Sequence, residues 1–446
     1  SEIRPTLQKK LEDGRESAFL SKELGTIDTY APVALDFPAC VAKDFDRESV
    51  TRLLRDLGFF SLVKRVSGGD AENRPVEGSR TRKTKEGFQE AKKSKTFKSE
   101  EEIRGFLNLC RENGEVAVAL DVQTGTLFGS AIQGIGLALE NGKTGYVNFS
   151  PETLSDLKAF FEDKNIRKVL YDAKTSMKLL HQEGISLSGV GFDVMLAGYL
   201  LNAGSDVSLD RMVLEELGKE QKNANKEQES ADILRLKNIY AEKLGQMARE
   251  QEVGKTVESV LFEIEMPLIS ILAAMEILGV RLNTQTLQAL SDEMLSDISG
   301  LEKEVYMLAG KEFNLNSPRQ LAIVLFEDLH IPTDGIKKLK TGFSTASSEL
   351  SKIRNEYPIV QLIERYRELF KLKTTYLDVL PRLKDEHSRV HTTFHQAVTA
   401  TGRLSSSDPN LQNIPVRNHW GERVRSAFEA EPGFVLVGAD YSQIEL

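Results

Sequence analysis

Two strings near the C-terminal end decide how this chain is read. HQAVTATGRLSS spans His395–Ser406 and leads to Asp408-Pro409-Asn410-Leu411-Gln412-Asn413-Ile414-Pro415. Phe434-Val435-Leu436-Val437 then runs into Asp440-Tyr441-Ser442-Gln443-Ile444-Glu445-Leu446. The second string predicts a buried strand that delivers the Asp440 carboxylate at its C-terminal end, with a helix starting through Gln443 and Glu445. Phosphoryl transfer needs such a carboxylate to hold Mg²⁺, which bridges the nucleophile and the transferring phosphate. Arg403 and Arg417 are fixed cations of the kind that contact a base edge or a nucleotide phosphate.

Upstream of these strings lie two amphipathic helices. Leu287, Leu290, Met294, Ile298, Leu301, Val305 and Leu308 step by three or four residues, and a second stripe runs from Ile359 through Leu362, Tyr366, Leu369, Phe370 and Leu377. The polar, Gly-containing piece between them carries Lys337, Lys338 and Lys340. Such a hairpin with a basic tip fits a duplex whose phosphates the lysines neutralise, and it equally fits a helical bundle with a loop. The charge is segregated in the same sense. Residues 335–425 hold sixteen Lys and Arg against nine Asp and Glu, a balance of +7, which leaves −16 of the total −9 on the rest. Asymmetry of this kind points to a polyanion more surely than the total does, although a solvated basic helix face has the same count.

Further upstream, residues 101–260 alternate. Val116–Leu120, Ala131–Leu139 and Tyr146–Phe149 are apolar runs, a helical stretch follows from Pro151, and Val169-Leu170-Tyr171 precedes a helix through Met177, Leu179 and Leu180. Strands first and strand–helix alternation next predict an α/β domain with a mixed sheet. The segment 220–232 reads as a polar loop. Residues 67–100 are a linker rich in Lys and Arg, and 46–66 read as a helix on Val50, Leu53, Leu54 and Leu57. At 446 residues the chain holds about three domains. It has no run of 18 apolar residues and no signal-peptide core at its start, so no membrane partner is expected. Two cysteines, Cys40 and Cys110, exclude a disulfide framework and fit a cytoplasmic, reducing setting.

On the strings His395–Pro415 and Asp440–Leu446 the chain resembles the family A DNA polymerases, the bacterial DNA polymerase I type. Ile264-Glu265-Met266-Pro267, Met275–Val280 and Lys371–Tyr376 are weaker echoes of the same family. The resemblance implies an α/β plus α fold: the tail of a 5′-nuclease-like domain (1–66), the linker (67–100), a ribonuclease H-like 3′–5′ exonuclease-type domain (101–260), and a helical thumb with the start of a polymerase palm (261–446). It implies that Asp440 and the Tyr441 carbonyl hold Mg²⁺, that Glu445 excludes a 2′-hydroxyl, and that Arg417, Gln443 and Glu445 lie at the incoming deoxynucleoside triphosphate. Arg403, Asn410 and Gln412 would read the minor groove at the primer terminus, and Lys337, Lys338, Lys340 and Lys373 would contact phosphates of primer–template DNA.

The chain departs from the family in the middle domain and at its ends. The family's Asp-x-Glu reads Asp121-Val122-Gln123 here, and Asp172 matches the third carboxylate. The final Tyr-x-x-x-Asp reads Tyr240 with Leu244, or Met247 with Gln251 in a second register. Asp193 matches a structural aspartate of the family. Two carboxylates leave a pair of divalent ions under-neutralised, so the expectation is a scaffold without proofreading. The second catalytic aspartate expected of the family is not in this chain, nor is the acidic cluster of the 5′-nuclease. A segment of a longer polymerase is therefore expected, with the remainder of that chain as its partner. The alternative is a non-catalytic primer–template-binding fragment. A dedicated exonuclease is disfavoured by the missing carboxylates, and a purely structural helical bundle leaves the Asp440 string unexplained.

Overall fold

The polar stretch 67–100 does not stay linker to its end. In this computed structural model Lys95–Thr96 form a strand, β1, at the edge of a six-stranded sheet. The anchor is Phe97, whose ring packs against Phe106 at 5.0 Å. The described residues are 95–97, 99–126, 129–221, 224–250, 254–340, 342–416 and 419–441, with a few separate positions before residue 95. Most of the expected helix 46–66 and of the linker lies outside them, as do Arg417, Gln443, Glu445 and Gln251. The chain divides into units Ser1–Thr84 and Lys85–Leu446, and every element below belongs to the second.

Helix α1 (Glu100–Asn113) is specified at both ends. Ser99 accepts the Glu102 N–H at 3.3 Å, Glu100, Glu101 and Glu102 sit at the positive end of the helix dipole, and Gly114 closes the last turn at φ 74°. Its stripe of Ile103, Phe106, Leu107 and Cys110 is buried. β2 (Glu115–Thr126), β3 (Gly129–Ala138) and β4 (Thr144–Asn148) form an antiparallel meander, with β1 parallel to β4. After α2 (Pro151–Glu162), β5 (Arg167–Leu170) lies parallel to β2. After α3 (Ala173–Gln182), β6 (Val190–Asp193) lies parallel to β5. The order β1-β4-β3-β2-β5-β6 is the mixed sheet that the alternation predicts.

Helices α4 (Val194–Leu201), α5 (Leu209–Leu217) and α6 (Lys226–Glu250) complete this domain. The reading of 220–232 as loop is corrected by α6, which starts at Lys226 with Asn225 accepting the Gln228 N–H. Glu227, Ser230 and Asp232 in its first turns are buried rather than solvated. Asp232 is 0% exposed and accepts from Lys219 at 2.5 Å and from Gln221 and Gln228 at 3.2 Å, so polarity here marks a satisfied interior. The helix crosses β2 and β3, and a Cβ at Gly136 would stand 2.0 Å from the Lys226 carbonyl oxygen.

A second apolar core begins past residue 280. α7 (Met266–Leu278) leads through β7 (Val280–Arg281) to α8 (Thr284–Ala309), where Asn283 caps the start and Gly310 ends the helix. Leu287, Leu290, Met294, Ile298, Leu301 and Val305 are buried as the stripe predicts. Leu308 is 48% exposed, one residue before the helix ends. The chain then sends Leu315, Leu321, Leu325, Ile331, Ile336 and Leu350 into the core before α9 (Pro358–Leu372) packs on α8. The expected tip is therefore a packed segment that carries a small hairpin, β8 (Lys338–Leu339) and β9 (Gly342–Phe343). β10 (Arg389–Val390) pairs antiparallel with β7.

A further expectation is overturned. Phe434–Val437 is no buried strand: these residues are 65–84% exposed and irregular. A strand is stable only when a neighbour takes up its N–H and C=O groups, and among the described residues none pairs with this run.

Candidate nucleic-acid interface

The string His395–Ser406 builds a hairpin. β11 (Thr393–His395) pairs antiparallel with β12 (Ser405–Ser407) in the register Thr393↔Ser407, Phe394↔Ser406 and His395↔Ser405. The 396–404 loop between them turns at Gly402, φ 75°, a left-handed conformation that glycine adopts without strain. Inside the loop the Thr399 hydroxyl donates to the Arg403 carbonyl at 2.6 Å. Arg403 stands exposed at the end of this turn.

Asn410 and Gln412 follow directly. Asn410 Oδ1 accepts from the Ser406 hydroxyl at 3.1 Å and from the Gln412 and Asn413 N–H groups at 3.1 and 3.2 Å. This oxygen is thus committed to holding the turn to β12, while Gln412 is exposed. The structure brings Arg403, Asn410 and Gln412 into one hairpin-and-turn unit joined through Ser406. Asp440 and Tyr441 lie in the irregular segment after Phe434, both exposed. Helix α10 (His419–Arg425) is tied back to α8 by Arg423, which makes two bonds to Glu293 at 2.7 and 2.6 Å.

Three of the four lysines proposed from sequence are exposed together. Lys337, Lys338 and Lys340 sit on or beside the β8–β9 hairpin, with the Lys338 ammonium 5.6 Å from the centre of the Phe343 ring. Lys373 is different. Its side chain is 15% exposed and bonds to Asp378 at 2.6 Å, so its charge is neutralised within the chain.

The sheet and the helices beside it carry the residues that the sequence assigns to a second site. Asp121 lies opposite Gly134 at an irregularity of the β2–β3 ladder and accepts the Tyr146 hydroxyl at 2.8 Å. The ring fits only because position 134 is glycine, since a Cβ there would lie 2.1 Å from the Tyr146 oxygen. Burial first, then Asp121, pushes the Tyr146 hydroxyl well above the usual phenol range. Gln123 is exposed. Asp172, at φ 52°, caps α3 by accepting the Thr175 N–H at 3.2 Å and its hydroxyl at 2.6 Å. Asp193 accepts the N–H groups of Ala173, Met195 and Leu196 at 2.7, 2.9 and 3.2 Å. Its burial and the neighbouring Asp172 charge push it up to about 7. Tyr240 and Leu244 are both buried on α6, Leu244 wholly within the apolar core. Among the described residues no group of three or more His, Cys, Asp or Glu side chains converges to hold a metal.

Sequence reasoning passed over the joint between the two cores. Glu276 is the one charged side chain of α7 and is 1% exposed. Its carboxylate takes Lys174 at 2.5 Å and Lys178 at 2.6 Å, both from α3, and the Phe394 N–H of β11 at 2.7 Å. Burial alone would raise its pKa. The bonds from Lys174, Lys178 and Phe394 outweigh this and hold it below the usual 4.5. A lone carboxylate in an otherwise uncharged helix was the available signal.

Comparison with known proteins finds likenesses in both parts of the chain. Residues 284–446 match the family described as DNA polymerase family A, and residues 125–225 match the DNA polymerase I, ribonuclease H-like domain. The chain is 36% identical to DNA polymerase I of Geobacillus stearothermophilus over 99% of its own length and 50% of the relative's. It is also 36% identical to the thermostable DNA polymerase I of Thermus thermophilus, over 100% of its own length and 47% of the relative's. The chain thus spans about half the length of these curated relatives. Its fold is similar to the solved POL domain of Pol1 from M. smegmatis in complex with DNA primer-template and dNTP. That likeness has a TM-score of 0.70 and 30% identity, covering 79% of this chain and 61% of that one.

Proposed function

Because this chain belongs to DNA polymerase family A, of the DNA polymerase I type, we propose that it serves template-dependent addition of deoxynucleotides to a primer 3′ end. Its substrates in this reading are primer–template DNA and deoxynucleoside triphosphates. The observation that carries the reading is the 393–407 hairpin, with Arg403 exposed at its turn and Asn410 and Gln412 in the segment bound to it. In the minor groove every correct base pair offers acceptors at equivalent places, so an arginine there tests pair geometry without reading sequence. Lys337, Lys338 and Lys340 add a positive edge for backbone phosphates, and Lys373 drops out of that set.

Asp440 and the Tyr441 carbonyl are hard oxygen donors of the type Mg²⁺ takes. When bound, the metal supplies charge stabilisation and an activated primer hydroxyl. One carboxylate does not balance two divalent ions, so these two donors account for part of a two-ion site. The reading is tested in primer extension by the native polypeptide that carries this sequence. Asp440→Ala should abolish incorporation and leave duplex affinity nearly unchanged. Equal incorporation by that variant overturns the assignment. If neither protein incorporates and both bind primer–template, the non-catalytic binding role stands instead.

We further propose that the α/β domain performs no proofreading. What supports this is the neutral Gln123, the apolar Leu244 and the engagement of Asp121 by Tyr146. A labelled 3′ end should stay intact in Mg²⁺. Degradation that vanishes in Asp121→Ala would refute it.

A further inference from the structure

The β11–β12 hairpin has three residues in each strand, too short to hold its shape alone in water. It is held from outside: β12 by Asn410, and β11 and the loop by the other core and the segment leading out of it. Glu276, fixed by Lys174 and Lys178, accepts the Phe394 N–H. Gln396 donates to the Glu265 carboxylate at 2.7 Å and to its carbonyl at 3.1 Å, and Ala397 packs on the α/β core. Closest to the turn, the Tyr199 hydroxyl of α4 donates to the Thr399 carbonyl at 2.7 Å, and the Thr399 hydroxyl donates to the Arg403 carbonyl at 2.6 Å. Two bonds therefore link α4 to the Arg403 backbone.

Resting on the reading of Arg403 as a primer-terminus contact, we infer that Tyr199 and Thr399 are positioning residues for Arg403, and that the α/β domain is the brace that sets this arginine against the duplex. The brace needs no metal and no catalytic carboxylate. It gives a domain without nuclease chemistry a function in substrate recognition, and it explains why Tyr199 and Thr399, 200 residues apart in the chain, meet at hydrogen-bond distance.

The test compares the affinity of the full chain for a recessed 3′-end primer–template with that for a blunt duplex of equal length, by fluorescence anisotropy. Tyr199→Phe and Thr399→Val should each lower the preference for the recessed end about three- to tenfold, the span of one neutral hydrogen bond. Thr399→Ser, which keeps the hydroxyl, should preserve it, and the salt dependence should not move. In an Arg403→Ala background, Tyr199→Phe should cost nothing more. The brace is overturned if Tyr199→Phe weakens both duplexes alike, has no effect, or loses as much in the Arg403→Ala background as alone. If Arg403→Ala itself leaves the preference intact, the primer-terminus reading fails and takes the brace with it.

Discussion

Glu276 shows how much one side chain can decide. A buried carboxylate is tolerated only when its charge is matched and its oxygens are bonded, and here two lysines and a backbone N–H do both. Glu276→Gln leaves the Lys174 ammonium buried without a counter-charge. It should cost about 3–5 kcal/mol, read from the urea midpoint of the whole chain. The pH dependence has a definite sign. The folded pKa lies below the ordinary 4.5, so the folded state binds fewer protons than the unfolded one in acid. The contribution of Glu276 is complete above 4.5 and is lost as the pH falls through the depressed value. A pH series of urea midpoints should show this loss in the wild type and lack that part of it in Glu276→Gln.

At the scale of elements, the approach of α6 to β3 and the β8–β9 hairpin make separate demands. Gly136 lets the start of α6 touch the sheet. Gly136→Ala sets a methyl 2.0 Å from a backbone carbonyl that has no side-chain freedom to yield, and should cost about 1–3 kcal/mol or more in thermal or urea unfolding. On the hairpin, alanine at Lys337, Lys338 and Lys340 together should flatten the plot of log affinity for duplex against log salt by about 0.9 per lysine. Lys373→Ala should leave that slope alone and lower stability, because it removes the partner of Asp378, which also accepts from Ser291 of α8.

For the molecule as a whole, the question is how two cores act as one. The first core gathers residues from Ile103 to Ile269, and the second from Leu282 to Ala427. The Glu276 network is a buried polar tie between α3, α7 and β11. Calorimetry should find the two cores melting together in the wild type. In Glu276→Gln the transition should broaden or split, with the hairpin side melting first. The charge pattern works at this scale too. The total of −9 is the sum of an acidic remainder and a +7 stretch of sequence that contains the hairpin lysines and Arg403, so the net charge of the chain hides a local excess of the opposite sign.

The sequence by itself determined what repeats locally or is read residue by residue. The stripes of α8 and α9 are buried as their spacing requires, and the strand–helix alternation of 101–260 gives the mixed sheet. The string around Arg403 is continuous in sequence, so the residues it singles out fall in one hairpin and the turn after it. Tertiary structure decided what depends on partners far along the chain. The polar residues of 226–232 read as loop because Lys219 and Gln221, which satisfy Asp232, lie outside that helix. Phe434–Val437 read as a buried strand because apolar, β-branched residues favour one, but a strand also needs a neighbour's hydrogen bonds. Lys373 reads from its charge as a candidate phosphate ligand, while its bond to Asp378 is set by how the end of α9 packs. Glu276, 102 and 98 residues from its two lysines, carried no local pattern that named them. Periodicity records which face of an element is buried. Which buried charge meets which is fixed only when the elements pack.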